Sequence, residues 1–161
     1  MKLITAFVTC ISLSFIPLSC YADDASHWSA GIGSNYGGIG VKYSQEINSR
    51  FDLYANLGAS AGFALLSYKN GTAASLGAEF SVSENQRHAL NTAIALLDGE
   101  NYYNEYSKIT DKNRLSGYVF GYSYYFSGMH STGQALGVST IRLTDDDEIL
   151  TSLSISWGYR F

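Results

Sequence analysis

The final eight residues, Ser154 to Phe161, alternate small or polar side chains with large apolar ones. Successive side chains of an extended strand point to opposite faces, so Ile155, Trp157, Tyr159 and Phe161 share one face and Ser154, Ser156, Gly158 and Arg160 the other. The first face suits lipid and the second a narrow polar interior. A period of two is the mark of a strand, and it sets the parity against which the rest of the chain can be read.

Beyond residue 22 no stretch carries the period of a strong amphipathic helix, whereas the alternation recurs in eight segments, near 27–34, 38–45, 51–61, 72–83, 87–97, 114–126, 133–143 and 149–161. On the parity of the C-terminal apolar face lie, among others, Trp28, Ile32, Ile39, Val41, Leu53, Leu57, Leu76, Phe80, Ile94, Tyr118, Phe120 and Val138. The opposite parity collects Ser29, Gly31, Gly40, Ser44, Asn56, Gly58, Ser75, Gly77, Ser81, Asn91, Gly117, Gly121, Ser123, Gly137 and Ser156. The pattern predicts an all-β fold, an eight-stranded antiparallel transmembrane β-barrel in up-and-down meander order. The supply of 16 glycines and a charged fraction of only 15% fit an interior crowded enough to demand small side chains. With both chain ends on the periplasmic side, the links after strands two, four and six face the periplasm and the other four face outward. Asn35 to Gly37 is short for an outer loop and Ser127 to Thr132 is long for an inner turn.

Met1-Lys2 followed by an uncharged apolar run from Leu3 to Ser19 reads as a secretory leader, and Cys20-Tyr21-Ala22 places small residues at the positions a signal peptidase requires. The expected organisation is a leader over 1–22, removed after Sec export, and a barrel domain over 23–161. A lipoprotein signal on Cys20 is the alternative, although Pro17 stands where such signals usually carry Leu. Cleavage after Ala22 removes Cys10 and Cys20, leaving no thiol for disulfides, nucleophiles or zinc. The formal net charge is −4, and loss of Lys2 makes it more negative, which argues against a nucleic-acid partner.

Four charged residues fall on the inward parity: Lys42, Asp52, Glu79 and Arg160. A barrel of eight strands encloses little more than its own side chains, and a lone buried charge is costly, so these four are expected to form a hydrogen-bonded charge network that plugs the lumen. Gating or proton movement is the functional alternative. Trp28 and Trp157 are read as rim residues whose indoles sit at a membrane interface.

Enzyme chemistry finds thin material. His27, His88 and His130 all fall on the periplasmic side and are distant in sequence, and His130 in Met129-His130-Ser131-Thr132 reads as a turn residue. No catalytic constellation, metal site or cofactor is expected. The run Asp145-Asp146-Asp147-Glu148 offers hard oxygen ligands but lacks the spacing of a calcium loop, so it reads as solvated loop charge. The longest outer link, Asp98 to Asn113, carries Tyr102, Tyr103 and Tyr106 among charges of both signs, which makes these tyrosines candidates for contact with an external protein ligand. Cross-strand tyrosine pairs extending the hairpin are the equal alternative.

The ending Trp157, Tyr159 and Phe161 resembles the C-terminal assembly signal of bacterial outer-membrane barrels. Together with the leader and the short alternating strands, Gly158-Tyr159-Arg160-Phe161 resembles the small outer-membrane barrels of the Ail/Lom and OmpX type. That resemblance implies the outer membrane of a Gram-negative bacterium, partners in outer-membrane lipid, lipopolysaccharide and the barrel assembly machinery, and a structural or surface-interaction role in adhesion or envelope integrity. The short first outer link argues against adhesion. A lipid A-modifying enzyme and a small-solute channel are the alternatives.

Overall fold

A computed structural model of the chain describes residues 25–61, 68–101, 112–145 and 148–161. The expected leader therefore lies outside the described residues, as do Tyr102, Tyr103 and Tyr106 and the middle of the acidic run. The strands are β1 (Ser26–Gly33), β2 (Gly38–Asn48), β3 (Phe51–Ala61), β4 (Tyr68–Ser81), β5 (His88–Asn101), β6 (Lys112–Tyr125), β7 (Gly133–Asp145) and β8 (Glu148–Arg160). Each pairs antiparallel with its neighbour in sequence, and β8 closes on β1, giving an eight-stranded closed barrel in meander order. Among the described residues no helix is long and apolar enough to cross a membrane.

Alternation dictates the two surfaces. Ile155 is 72% exposed, Leu76 66% and Phe120 62%, although each is a large apolar side chain in the middle of a strand. In water that belt would be an aggregation hazard; against lipid it is what a strand exterior needs. Arg160, Glu79 and Asp52, by contrast, are among the most completely buried side chains. Taking polar groups inward and apolar groups outward inverts the arrangement of a water-soluble barrel.

The strands β4 and β5 extend further toward the links at one end than the alternation alone marks, because their ladder continues through Gly71↔Gly99 and Asn70↔Glu100, where neither face is apolar. Backbone pairing needs no side-chain pattern. The junctions are unequal: β7 and β8 pair over thirteen positions, but β1 and β8 over four, Ser29↔Arg160 to Ile32↔Trp157. We call the end where β1 starts and β8 finishes the lower rim, and the opposite end the upper rim.

The two links of unexpected length both turn into the barrel. Ser34–Tyr36 forms a single 3-10 turn between β1 and β2, with Asn35 and Tyr36 buried. It is not an outer loop but an internal stopper. Gly33 (φ 100°) and Gly37 (φ 67°) make the reversal at either side, a backbone region open mainly to glycine. At the lower rim the link after β6 is long because it folds under the bore: Met129 is fully buried against Ala89, Tyr125 and Ala135, and its backbone N–H donates to the carbonyl of Gln86 at 2.8 Å.

Candidate functional site

The lower half of the interior holds the four inward charges, drawn from β2, β3, β4 and β8. Lys42 Nζ lies 2.7 Å from Glu79 Oε2, with both side chains all but inaccessible. The same Oε2 accepts a hydrogen bond from the Tyr125 hydroxyl at 2.7 Å, and Lys42 also sits 4.5 Å above the Tyr54 ring. Asp52 works with different partners. Its Oδ1 lies 2.7 Å from His130 Nε2, and its Oδ2 is 3.7 Å from Arg160 Nη2. Arg160 Nη2 donates to Ser44 Oγ at 3.3 Å, and its guanidinium stacks 5.1 Å from the Tyr125 ring centre. Two acids and two bases thus meet as two neighbouring pairs joined through Tyr125.

His130 is not an isolated turn residue. The lower link carries it beneath the bore, where its Nδ1 faces Glu46 at 3.7 Å and its ring stacks on His27 with centroids 6.1 Å apart. Two histidines more than a hundred positions apart are neighbours because β1 starts where the β6–β7 link crosses the lower rim. His88 is elsewhere, its Nδ1 2.6 Å from the Tyr122 hydroxyl. Among the described residues no group of three or more His, Cys, Asp or Glu side chains could hold a metal ion.

Above the charges sits the stopper. Tyr36 occupies space left by a row of inward glycines: a Cβ on Gly31 would come within 2.6 Å of its ring, and one on Gly158 would press closer still on its Cζ and hydroxyl. Asn56 Nδ2 donates to the carbonyl of Asn35 at 3.1 Å, Asn35 Nδ2 donates to Ser123 Oγ at 3.3 Å, and the Ser34 N–H donates to Ser154 Oγ at 3.3 Å. The Ser34 and Ser139 hydroxyls also share a short hydrogen bond. The turn is thereby tied to β3, β6, β7 and β8. Charge network and stopper together fill the bore over its lower and middle parts.

The N-terminal β-barrel domain of Pseudomonas aeruginosa OprF superposes on this chain with a TM-score of 0.57 at 13% identity, over 86% of this chain and 98% of that one. The fold is that of a small outer-membrane barrel. The Yersinia pestis outer membrane protein Ail, solved in a phospholipid bilayer nanodisc, gives a TM-score of 0.44 at 16% identity, over 86% of this chain and all of that one. No family model matches the sequence, and no curated protein matches it. At such identities the likeness is one of backbone architecture, and the residues lining the interior are this chain's own.

Three residues of the interior escape a reading by parity of small and charged side chains. Tyr54 and Tyr125 stand on the inward parity but are aromatic, and Tyr36 lies in a link. The available signal for Tyr36 was Gly31, Gly40, Gly58 and Gly158, a patch of missing side chains on adjoining strands β8, β1, β2 and β3, of which Gly31 and Gly158 make room for the ring and Gly40 and Gly58 for the backbone carbonyl of Tyr36.

Trp157, Tyr159 and Phe161, which the sequence suggests as an assembly signal, are all outward and exposed, and the Phe161 N–H donates to the carbonyl of Trp28 at 3.0 Å, tying that residue to β1. Trp28 is also outward, its ring 5.1 Å from that of Tyr43.

Proposed function

We propose that this chain is an outer-membrane barrel of a Gram-negative bacterium, exported through Sec with residues 1–22 removed, and that it serves a structural or surface-interaction role rather than conducting solutes. The observation that carries the proposal is the inversion of polarity: an exposed apolar belt around a closed barrel whose Lys42, Asp52, Glu79 and Arg160 are paired inside. Trp157, Tyr159 and Phe161 serve as the signal read by the assembly machinery, and lipid and lipopolysaccharide contact the belt. Tyr102, Tyr103 and Tyr106 supply the contact surface for an external protein ligand. The interior charges act as a plug that fixes strand register.

The test is fractionation of cells followed by gel migration with and without boiling, combined with proteolysis of intact cells. The expected result is a membrane-fraction protein whose unheated form migrates faster and which surface protease nicks within 102–111. Recovery in the soluble periplasm, or migration indifferent to heat, overturns it. A silent planar bilayer is expected as well, because the Ser34–Tyr36 turn and the paired charges occupy the bore.

A further inference from the structure

Above the stopper the barrel wall has a gap. β1 leaves the wall at Gly33 and β2 rejoins it at Gly38, so the upper part of β8 has β7 on one side and no described strand on the other. Backbone groups alternate along a strand, which tells what that edge offers. The Phe161 N–H donates to the Trp28 carbonyl in line with the β1–β8 register, so odd residues of β8 turn their N–H and C=O groups toward β1 and even residues turn theirs toward β7. Trp157 and Tyr159 meet Ile32 and Ala30 there, but Ile149, Thr151 and Leu153 have no ladder partner on that side among the described residues. The carbonyls of Leu153 and Ile155 are approached by the hydroxyls of Ser152 and Ser154, at 3.4 and 3.5 Å, the long limit of a hydrogen bond. A cavity of about 460 Å³ reaches the same gap: it touches the inward residues Ala95, Leu97, Val119 and Leu143 and also Leu153 and Ile155, whose side chains point outward.

We propose that this edge binds an extended peptide segment of a partner protein, which adds to β8 as an antiparallel strand along the line that β1 abandons at Gly33. The backbone commits the occupant. Donors and acceptors that recur at every second residue are matched along their length by another extended backbone, and a lipid chain satisfies none of them. An open sheet edge is not tolerated against lipid, yet Leu153 and Ile155, 61% and 72% exposed, belong to the apolar belt. The added strand must alternate as its neighbours do. Residues opposite Thr151 and Leu153 point outward beside them, and those opposite Ser152 and Ser154 point into the cavity, where no lining residue carries a formal charge and an aliphatic side chain fits. The inference rests on the register of β8 and not on Tyr102, Tyr103 and Tyr106, so it stands or falls apart from the contact proposed for them.

The experiment uses the full folded protein in detergent and fluorescein-labelled Ile-Leu-Thr-Leu-Ile, with binding read by anisotropy and protein amides followed by hydrogen exchange. In the free protein the Thr151 and Leu153 amides should exchange faster than those of Ser152 and Ser154, which face β7, and the peptide should slow them. Binding should saturate. N-methylation of the central Thr, whose N–H faces β8, should weaken it about fivefold or more, the loss of one hydrogen bond, whereas N-methylation of either Leu should not. Leu153→Pro removes an edge donor and leaves the β7 ladder whole, so the variant should keep heat-modifiable migration and lose saturable binding. If it does not fold, the methylation series on the unaltered protein decides. Thr151 and Leu153 amides already as protected as their neighbours would mean that this chain or a second copy covers the edge, and overturn the proposal. So would binding that fails to saturate, methylation losses equal at adjacent residues, or binding unchanged in folded Leu153→Pro protein.

Discussion

Removing either member of the Lys42–Glu79 pair should harm the barrel far more than removing both. Glu79 is fully buried, and its Oε2 is shared between Lys42 Nζ and the Tyr125 hydroxyl, both at 2.7 Å. Lys42→Met leaves a carboxylate held by one neutral hydroxyl, and Glu79→Met leaves an ammonium over the Tyr54 ring with the same hydroxyl for company. Breaking a buried pair from one side typically costs about 3–5 kcal/mol, because the survivor's desolvation is no longer offset. The double replacement removes both charges and strands only the Tyr125 hydroxyl, a loss of about 1 kcal/mol. Unfolding in urea from a fixed detergent or lipid reads the difference: with a slope near 2 kcal/mol per molar, each single variant should lose about 1.5–2.5 M in midpoint and the double about 0.5 M. The coupling energy from the cycle should be about 5 kcal/mol or more in magnitude. Single variants that each lose under about 1 kcal/mol, or a double variant that loses the sum, would refute the reasoning and mean that the pair is hydrated.

Other expectations follow from the same interior. Tyr36→Ala should destabilise the barrel by about 3–5 kcal/mol in the same assay, since a buried ring leaves a cavity that the facing Gly31 and Gly158 cannot close. Gly158→Val should block folding to the heat-modifiable form, because even its Cβ would press on the Tyr36 ring. His130→Ala should cost about 1–3 kcal/mol by stripping Asp52 Oδ1 of its 2.7 Å partner, and His130→Gln should restore part of it. Deleting Phe161 should reduce the folded protein recovered from membranes more than it reduces the stability of the purified barrel, measured by gel migration and urea unfolding respectively.

The strands were legible because their side chains report their environment twice per period. Ile155, Trp157 and Tyr159 on one side and Ser156, Gly158 and Arg160 on the other suffice to orient β8, and the register then carries that parity to β7 and β1. Where the sequence has no apolar alternation, as at Asn70-Gly71, the pattern falls silent and strand ends become invisible, although the backbone ladder continues. The upper interior was hidden for a related reason. Leu97, Val119 and Leu143 are apolar on the inward parity, and their neighbours Leu96 and Phe120 are apolar on the other, so the pattern reads as greasy without saying which side encloses a cavity. The meeting of His27 with His130, and of Tyr125 with Glu79, depends on closure of the cylinder and on a link folding beneath it. Neither is a property of any local stretch of sequence.

The junction of β1 with β8 is the shortest in the barrel, four paired positions where its neighbour has thirteen. A cylinder made by rolling a sheet has one line along which it was closed, and here that line has little backbone to hold it. The Ser34–Tyr36 turn lies across it: Ser34 reaches Ser154 on β8, Tyr36 lies against Gly158, and the same turn hangs from β1 and holds β3 through Asn56. The residues that stop the bore therefore act as an internal clasp, seated only when the two edges arrive together, and reopening the barrel along that line must also unseat the turn inside it.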